Sequence, residues 1–419
     1  MLPELHAPVR LCARQRVLAA LALVLAVQGP GIARASEVPD GSAPDLTELE
    51  SAASSAETLL ALIRRGIEYN SAGDLAAADT IWSRIHREYP DHPAAPVFEV
   101  KTLYLRKFAD FQNDSFDAAI QERCERAIAL SERRLTRTPN DARAHFYLGQ
   151  ALFQLTLLEG FRGHYFSAGV YGERAREHLE RAIELEPDFV DAKLPLGMYY
   201  YYASLAPGFI KWLSWLWFIP TGERETGIAL VEEVSNDGDW FRVEASISRQ
   251  RIQHYLDQRP DLALPTVVEL HGRYPQNSYV HFEVVEILMS LGDYPAVART
   301  ALELERADGH QFGDAQRRAL ARVWRARAEL YQGHVGQAAE ILETFDGDRE
   351  RLTAWGQNWL LLTHGHILDL RGHREQAISY YEEVIDRTDR WNSSRAVKRA
   401  SAALEEPFRL EEQPAVASE

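Results

Sequence analysis

Small, apolar and aromatic residues recur along residues 55–405 at intervals typical of amphipathic α-helices separated by polar turns. The first complete set of these markers is Gly66, Tyr69, Gly73, Ala78, Trp82 and Pro90. Gly73, seven residues after Gly66, supplies a turn, and Pro90 ends the helix that follows this turn. The small residues Gly66 and Ala78 leave room for two helices to approach closely. The spacing therefore predicts a pair of antiparallel helices.

The intervals of this first pair return as far as Tyr381, and they are kept least closely between about 93 and 139. The later markers are Gly149, Ala175, Pro187, Gly197, Gly227, Ala263, Pro275, Gly292, Gly333, Ala338, Gly365, Gly372, Ala377 and Tyr381. Repetition of this kind predicts an array in which each helix pair packs on its neighbours. We predict eight pairs, at about 55–90, 93–139, 141–187, 189–236, 239–275, 277–308, 313–346 and 350–388. A capping helix follows at 391–405, with Arg395, Lys398 and Arg399 on its solvent side.

The marker residues resemble those of the tetratricopeptide repeat (TPR), a helix-turn-helix unit of about 34 residues. The resemblance covers most of residues 55–390. It implies an all-α fold, an α-solenoid of TPR-like helix pairs. Proteins built in this way are typically binding scaffolds, and we expect a protein or peptide partner on the surface lined by the first helices of the pairs.

The third and fourth pairs depart from the regular spacing. The interval between the two small residues is 26 residues from Gly149 to Ala175 and 30 residues from Gly197 to Gly227, against twelve in the first pair. The excess predicts an insertion between the two helices of each of these pairs.

The two insertions, at about 158–170 and 205–221, are rich in aromatic residues. Equivalent turns of adjacent pairs lie on the same edge of a solenoid, so we expect the insertions to touch and to form one aromatic patch. Tyr200, in a run of four tyrosines before the second insertion, is a further candidate for recognition. The candidate partner- or lipid-binding residues are Phe161, Arg162, His164, Tyr165, Phe166, Tyr200, Phe209, Lys211, Trp212, Trp215, Trp217 and Phe218.

The second insertion contains an unusually apolar segment. Nine of the eleven residues from Phe209 to Ile219 are apolar, and three of them are tryptophans within six residues. A helix that is apolar nearly all round does not remain in water. Three placements fit this pattern: a plug folded back on the solenoid, one wall of a pocket for an apolar ligand or peptide, and contact with a membrane interface, where Trp and Lys are favoured.

Residues 197–230 show a second resemblance. The segment has Gly197, the break Leu205-Ala206-Pro207, an aromatic stretch, and a helix start in residues 222–230 with the sequence GERETGIAL. This arrangement is similar to the corresponding segment of the inclusion-body-clearance family of TPR proteins. The resemblance implies an apolar inserted element in a binding scaffold.

The two ends of the chain differ from the repeat array. Residues 1–35 have a basic start, an eleven-residue apolar core and the sequence Ala33-Arg34-Ala35, which together predict a signal peptide and export to the periplasm or beyond the cell. The apolar core is too short to span a bilayer comfortably. Residues 36–54 predict a flexible leader, and residues 406–419 a disordered tail.

Charge and cysteine content narrow the function classes. The net charge of −16 becomes about −19 once the signal peptide is removed, which argues against nucleic acid as the partner. Cys124 is then the one remaining cysteine, so the mature chain has no internal disulfide. Stability is therefore expected to come from helix packing.

The sequence contains no recognisable catalytic, phosphate-binding or metal-binding motif, and we predict no cofactor and no metal. His364 and His366 are two residues apart, so on a helix they point about 200° apart and do not share a metal ion. We therefore expect an exported, non-enzymatic scaffold that binds a protein or peptide partner in the cell envelope. The alternative is a peripheral protein that binds a membrane or an apolar ligand through residues 208–219. An enzyme that uses Arg162 and His164 is the third hypothesis.

Overall fold

The computed structural model describes residues 58–107, 114–204, 224–306, 314–343, 345, 349–387 and 394–410. These residues form seventeen α-helices and no strand, which confirms the predicted all-α fold. The predicted signal peptide and leader lie outside the described residues, as do the second insertion and the last nine residues of the predicted tail.

The chain divides into two compact units, with the main boundary after Arg251. The helices of the first unit are α1 (Leu59–Ala72), α2 (Leu75–Glu88), α3 (Ala94–Lys107), α4 (Asp117–Arg137), α5 (Ala142–Arg162), α6 (Tyr165–Leu185), α7 (Lys193–Ser204), α8 (Arg224–Asp237) and α9 (Arg242–Arg251). They form the first four predicted pairs and the first helix of the fifth.

The second unit begins with a π-helical turn, Ile252–Leu256. Its α-helices are α10 (Pro260–Arg273), α11 (Ser278–Leu291), α12 (Tyr294–Arg306), α13 (Asp314–Tyr331), α14 (Val335–Glu343), α15 (Ala354–Leu370), α16 (Arg374–Asp386) and α17 (Ser394–Glu405). α1 packs on α2 where Gly66 meets Trp82, the later helices of each unit pack against the next one along the chain, and α17 packs on α16 as the predicted cap.

The turns between paired helices depend on glycine. Five glycines have φ between 78° and 85°, a left-handed conformation that side chains other than glycine rarely adopt. They are Gly73, Gly163, Gly292, Gly333 and Gly372. The spacing predicted four of these turns, and Gly163 falls inside what the spacing predicted to be an insertion.

Small residues also set the distance between paired helices. A Cβ atom added to Gly66 would come within 2.3 Å of the Trp82 ring, and one added to Gly365 would come equally close to the Tyr381 ring. The indole of Trp82 is fully packed and donates to Thr102 Oγ1 at 2.8 Å. Gly66 and Gly365 are therefore positions where a large aromatic ring lies directly on the helix backbone.

The first insertion is not a separate segment, and this corrects the sequence prediction. α5 and α6 have 21 residues each and meet in the same short glycine turn as the first pair. The turn at Gly163 lies fourteen residues after Gly149, where the first pair has seven between its two glycines. The excess of fourteen residues is thus shared, seven to each helix. Seven residues are close to two helical turns, so both helices grow longer without changing the faces they pack.

Candidate functional site

The turn at Gly163 forms the tip of the lengthened α5–α6 hairpin, which we call the hairpin tip. Phe166 is 64% exposed there, and Val170, one turn further along α6, is 44% exposed. Tyr165 is half-buried. Phe161 is only 6% exposed and belongs to the core. Of the aromatic residues predicted to form a patch at this tip, the structure therefore exposes Phe166, and Val170 is exposed beside it.

Arg162 and His164 converge on one carboxylate at the hairpin tip. Arg162 Nη1 lies 3.2 Å from Glu159 Oε1, and His164 Nδ1 lies 3.0 Å from Glu159 Oε2. Arg162 also donates to Gln121 Oε1 at 3.1 Å and lies 3.4 Å from Asp117. These contacts tie the tip to α4, and they assign Arg162 a role in holding the hairpin.

Tyr200 lies apart from the hairpin tip. Its hydroxyl donates to Glu180 Oε1 at 2.5 Å, and the neighbouring Tyr199 hydroxyl donates to Glu173 Oε2 at 3.0 Å. Glu180 is fourteen residues along α6 from Phe166, which corresponds to about 21 Å of helix. Tyr199 and Tyr200 therefore help α7 pack on α6.

The remaining candidate residues belong to the second insertion. Phe209, Lys211, Trp212, Trp215, Trp217 and Phe218 lie outside the described residues. The predicted contact between the two insertions therefore stays a prediction.

An aromatic cluster occupies the surface formed by the first helices in the first unit. The rings of Trp240 and Phe241, just before α9, lie 5.8 and 6.2 Å from the ring of Phe98 on α3. The same two rings lie 6.0 and 5.9 Å from Phe146 on α5, and Phe189 is 5.4 Å from Trp240. All five side chains are buried. The chain itself thus covers part of the surface on which a partner was expected.

A buried ion pair accompanies this cluster. Lys101 Nζ lies 2.6 Å from Glu244 Oε2 and 3.4 Å from the centre of the Phe241 ring. Lys101 and Glu244 are each 3% exposed. Burial raises the pKa of Glu244 to about 7 and lowers the pKa of Lys101, because both charges are removed from water.

Asp191 and Arg64 hold the segment before α9 in place. Asp191 Oδ1 accepts the backbone N–H groups of Trp240 at 2.9 Å and of Phe241 at 2.8 Å. Asp191 is buried, and this burial raises its pKa, although the N–H donors favour its charged form. Arg64 on α1 pairs with Asp239 at 2.5 Å. Two hydrogen bonds to Asp191, just before α7, and the ion pair with Arg64 on α1 therefore fix this segment.

Spacing along the sequence does not reveal these contacts. Lys101 and Glu244 are 143 residues apart, and Arg64 and Asp239 are 175 apart. One local signal exists, because Trp240-Phe241 is an aromatic pair directly before a helix that starts with polar residues. Two large apolar side chains at that place are expected to be buried against another part of the chain, but the sequence does not identify that part.

The histidines singled out in the sequence pack against aromatic rings. His364 stacks on Tyr380 with ring centres 5.3 Å apart, and His366 stacks on Phe408 at 3.8 Å. Phe408, which the sequence assigns to the tail, also donates its backbone N–H to Asp369 Oδ2 at 2.8 Å. Burial lowers the pKa of His366 to about 3.

Within the described ranges, no group of three or more His, Cys, Asp or Glu side chains is arranged to hold a metal ion. No helix in the described part of the chain is both long enough and apolar enough to cross a membrane. Cys124 is buried, and burial raises its pKa, so the thiolate form is disfavoured.

Comparison with known proteins gives likeness at the level of fold. No family model matches the sequence, and no curated protein matches it. Among solved structures, the thermophilic TPR protein TTC0263 of Thermus thermophilus is 18% identical, with 54% of this chain and 97% of that chain covered and a TM-score of 0.35. The described part of this chain is similar to that protein in being a succession of paired helices.

Two further solved structures cover more of this chain. Cut9, from the APC/C hetero-tetramer Cut9-Hcn1, is 13% identical, with 85% of this chain and 59% of that chain covered and a TM-score of 0.49. The human IFIT1 dimer with m7Gppp-AAAA is also 13% identical, with 86% and 76% covered and a TM-score of 0.41.

Proposed function

We propose that this protein is an exported scaffold of the cell envelope, periplasmic or secreted, and that it binds a protein or peptide partner at the hairpin tip. The observation that carries the proposal is the exposure of Phe166 and Val170 at the end of a hairpin that is two turns longer per helix than the first pair. Large apolar side chains exposed next to each other favour protein contact. The signal sequence in residues 1–35 supports export, and the net charge of −16 favours a protein over a nucleic acid.

A cross-linking experiment with matched variants tests this proposal. The tagged full chain is expressed in a bacterial host, cross-linked in intact cells, and recovered from the envelope fraction. We expect one defined partner with the wild type and with Leu262→Ser, which removes a large hydrophobic residue 47% exposed in the second unit. Phe166→Ser should lose this partner. Equal recovery with Phe166→Ser would contradict the proposed site, and retention of the chain in the cytoplasm would contradict export.

The second candidate function is contact with a membrane through residues 208–219. The observation in its favour is the sequence itself, with Trp212, Trp215 and Trp217 close to Lys211, a composition that suits the membrane interface. Flotation with phospholipid vesicles distinguishes the two candidates. Membrane contact predicts flotation that is lost in Trp215→Ala/Trp217→Ala, whereas partner binding at the hairpin tip predicts no flotation of the wild type.

A further inference from the structure

A small cavity lies on the surface formed by the first helices of the second unit. Its volume is about 90 Å³. Side chains from α11, α12, α13, α15 and the capping helix α17 line it, and those that carry charge or aromatic rings are Glu286, Tyr294, Arg327, Tyr331, Trp359, Arg395 and Arg399. Three guanidinium groups and one carboxyl group therefore face the same enclosed space.

Arg327 is the buried cation of this cavity. It is 5% exposed, and its guanidinium lies 3.8 Å from the ring centre of Trp359 and 5.0 Å from that of Trp324. No carboxylate of the described residues lies within 4 Å of its nitrogens, so no ion pair compensates its burial there. Burial lowers its pKa to about 10, which still leaves the group charged at neutral pH. Burial of a charge outside an ion pair is unfavourable, and the charge of Glu286 offsets only part of this.

Two arginines of α17 border the same cavity from outside. Arg399 donates to the Tyr331 hydroxyl at 2.6 Å, and Arg395 lies 5.2 Å from the ring centre of Tyr255. They are four residues apart and therefore lie on the same side of the helix. The sequence placed both on the solvent side, and both are exposed. Their exposed guanidinium groups therefore flank a deeper, buried one.

Other arginines on α13 are neutralised in a different way. Arg322 and Arg325 lie 3.2 and 2.7 Å from the two oxygens of Glu305 on α12. The helix therefore has ion-paired arginines on one side and Arg327 on the other. Arg325 provides a matched control for Arg327, because both are arginines of one helix.

Glu286 is the one acidic residue among those that line the cavity, and its charge acts on Arg327. Its charge raises the pKa of Arg327, although less than Tyr331 does. Its own pKa is raised by burial. Three arginines and one ionised Glu286 leave a net charge of +2 around the cavity, and a protonated Glu286 leaves +3. Either state favours an anion with more than one negative charge.

We infer that this cavity binds the phosphate group of a ligand, with Arg327 as the buried contact and Arg395 and Arg399 at its opening. Guanidinium groups donate paired hydrogen bonds that match the oxygens of a phosphate. In the same measure of volume, one water molecule needs about 10–15 Å³. A cavity of about 90 Å³ therefore has room for one phosphate group, and the rest of a larger ligand must lie outside the opening.

Calorimetric titration of the full mature chain with inorganic phosphate, at constant ionic strength in chloride, tests the inference. We expect saturable binding by the wild type and by Arg325→Gln. Arg327→Met and Arg399→Gln should each weaken the affinity about tenfold or more, since each removes a charge-assisted contact. Arg399→Gln changes an exposed residue, so it keeps the test valid even if Arg327→Met does not fold. The inference is overturned if the wild type shows no saturable binding. It is also overturned if Arg327→Met and Arg399→Gln both bind phosphate with the affinity of the wild type.

The source of the phosphate group is distinguished by two further probes, glycerol 3-phosphate and phosphatidylcholine vesicles that contain phosphatidic acid. Sedimentation with the phosphatidic acid vesicles, reversed by inorganic phosphate, identifies a lipid headgroup. Binding of glycerol 3-phosphate without sedimentation identifies a soluble ligand. Phe166→Ser should bind phosphate as the wild type does, so this result is independent of the proposed partner site. The inference is overturned if none of the three probes binds: inorganic phosphate, glycerol 3-phosphate and the phosphatidic acid vesicles.

Discussion

The first-helix surfaces of the two units each contain a buried cation, but the two cations have different surroundings. In the first unit, Lys101 has a carboxylate of its own chain at 2.6 Å, that of Glu244. In the second unit, Arg327 contacts the ring of Trp359, and no described carboxylate lies within ion-pairing distance. One surface has its counter-ion built in, and the other has an open cavity in that place.

This difference shows that the repeat type alone does not define a binding surface. Both units consist of the same helix pairs, and both present first helices in succession. In the first unit, Trp240, Phe241 and Glu244 occupy the surface that a partner would otherwise contact. The capacity to bind a ligand therefore depends on the segments that the chain places across each surface.

The largest effect that we predict comes from breaking the internal ion pair. Lys101→Met leaves the Glu244 carboxyl buried without a partner and should lower the free energy of unfolding by about 3–5 kcal/mol at pH 8. The penalty should shrink as the pH falls from 8, because Glu244 takes up a proton more readily once Lys101, which lowers its pKa, has been removed. Urea denaturation followed by tryptophan fluorescence measures both effects.

The double variant Lys101→Met/Glu244→Leu is the control for this experiment. Replacement of a whole buried ion pair by apolar residues of similar size is often neutral, so most of the lost stability should return. A single variant as stable as the wild type would show that the surface of the first unit is open to water.

The next effect concerns a type of helix packing that occurs in both units, a glycine under an aromatic ring. Gly66→Ala and Gly365→Ala each force a methyl group against an aromatic ring, Trp82 or Tyr381, and should cost about 1–3 kcal/mol each. Gly272→Ala, where no atom lies within 4 Å of the added carbon, should instead stabilise by up to about 1 kcal/mol. Similar costs in both units would confirm that their hairpins are equivalent. Thermal unfolding of the three variants makes the comparison.

Residue spacing predicted the close approach of paired helices because the residues that allow it are local in sequence. Gly66 and Trp82 are 16 residues apart, as are Gly365 and Tyr381, and all four belong to the marker set. The same reasoning predicted the eight helix pairs and four of the five glycine turns. It was wrong about the first insertion, because an excess of fourteen residues is compatible either with an inserted segment or with two longer helices.

The contacts that distinguish the two units were not predictable in this way. Trp240 meets Phe98, and Glu244 meets Lys101, across more than 140 residues of chain. The cavity around Arg327 also joins helices that are far apart in sequence, α11 and α17. Residue spacing predicts contacts within one helix pair, whereas these sites depend on how helices distant in sequence come together within a unit.

The pH dependence of stability sharpens the comparison further. The pKa of His366 is lowered from its ordinary value of 6.5 to about 3, so the unfolded chain binds a proton first as the pH falls below 6.5. Stability from His366 is therefore present above pH 6.5 and is lost toward pH 3. Glu244 has the opposite sign, because its pKa is raised from 4.5 to about 7 and its contribution is lost as the pH rises through this range.

His366→Phe keeps a ring against Phe408 but removes the titration. Between pH 6 and 4, this variant should reduce the slope of unfolding free energy against pH by up to about 1.4 kcal/mol per unit. Denaturation midpoints of variant and wild type, measured at half-unit steps of pH, give the two slopes. Parallel slopes would mean that His366 is open to water in the folded chain.

The smallest change in stability should come from Arg327→Met in buffer without phosphate. The substitution removes the stacking of the guanidinium on Trp359, which costs about 1–2 kcal/mol. It also removes a buried charge that Tyr331 and Glu286 offset only in part, which returns a similar amount. The two terms nearly cancel, so the free energy of unfolding should change by less than about 1 kcal/mol, against about 3–5 for Lys101→Met. A loss as large as that of Lys101→Met would mean that the chain itself neutralises Arg327, and the contrast between the two surfaces would disappear.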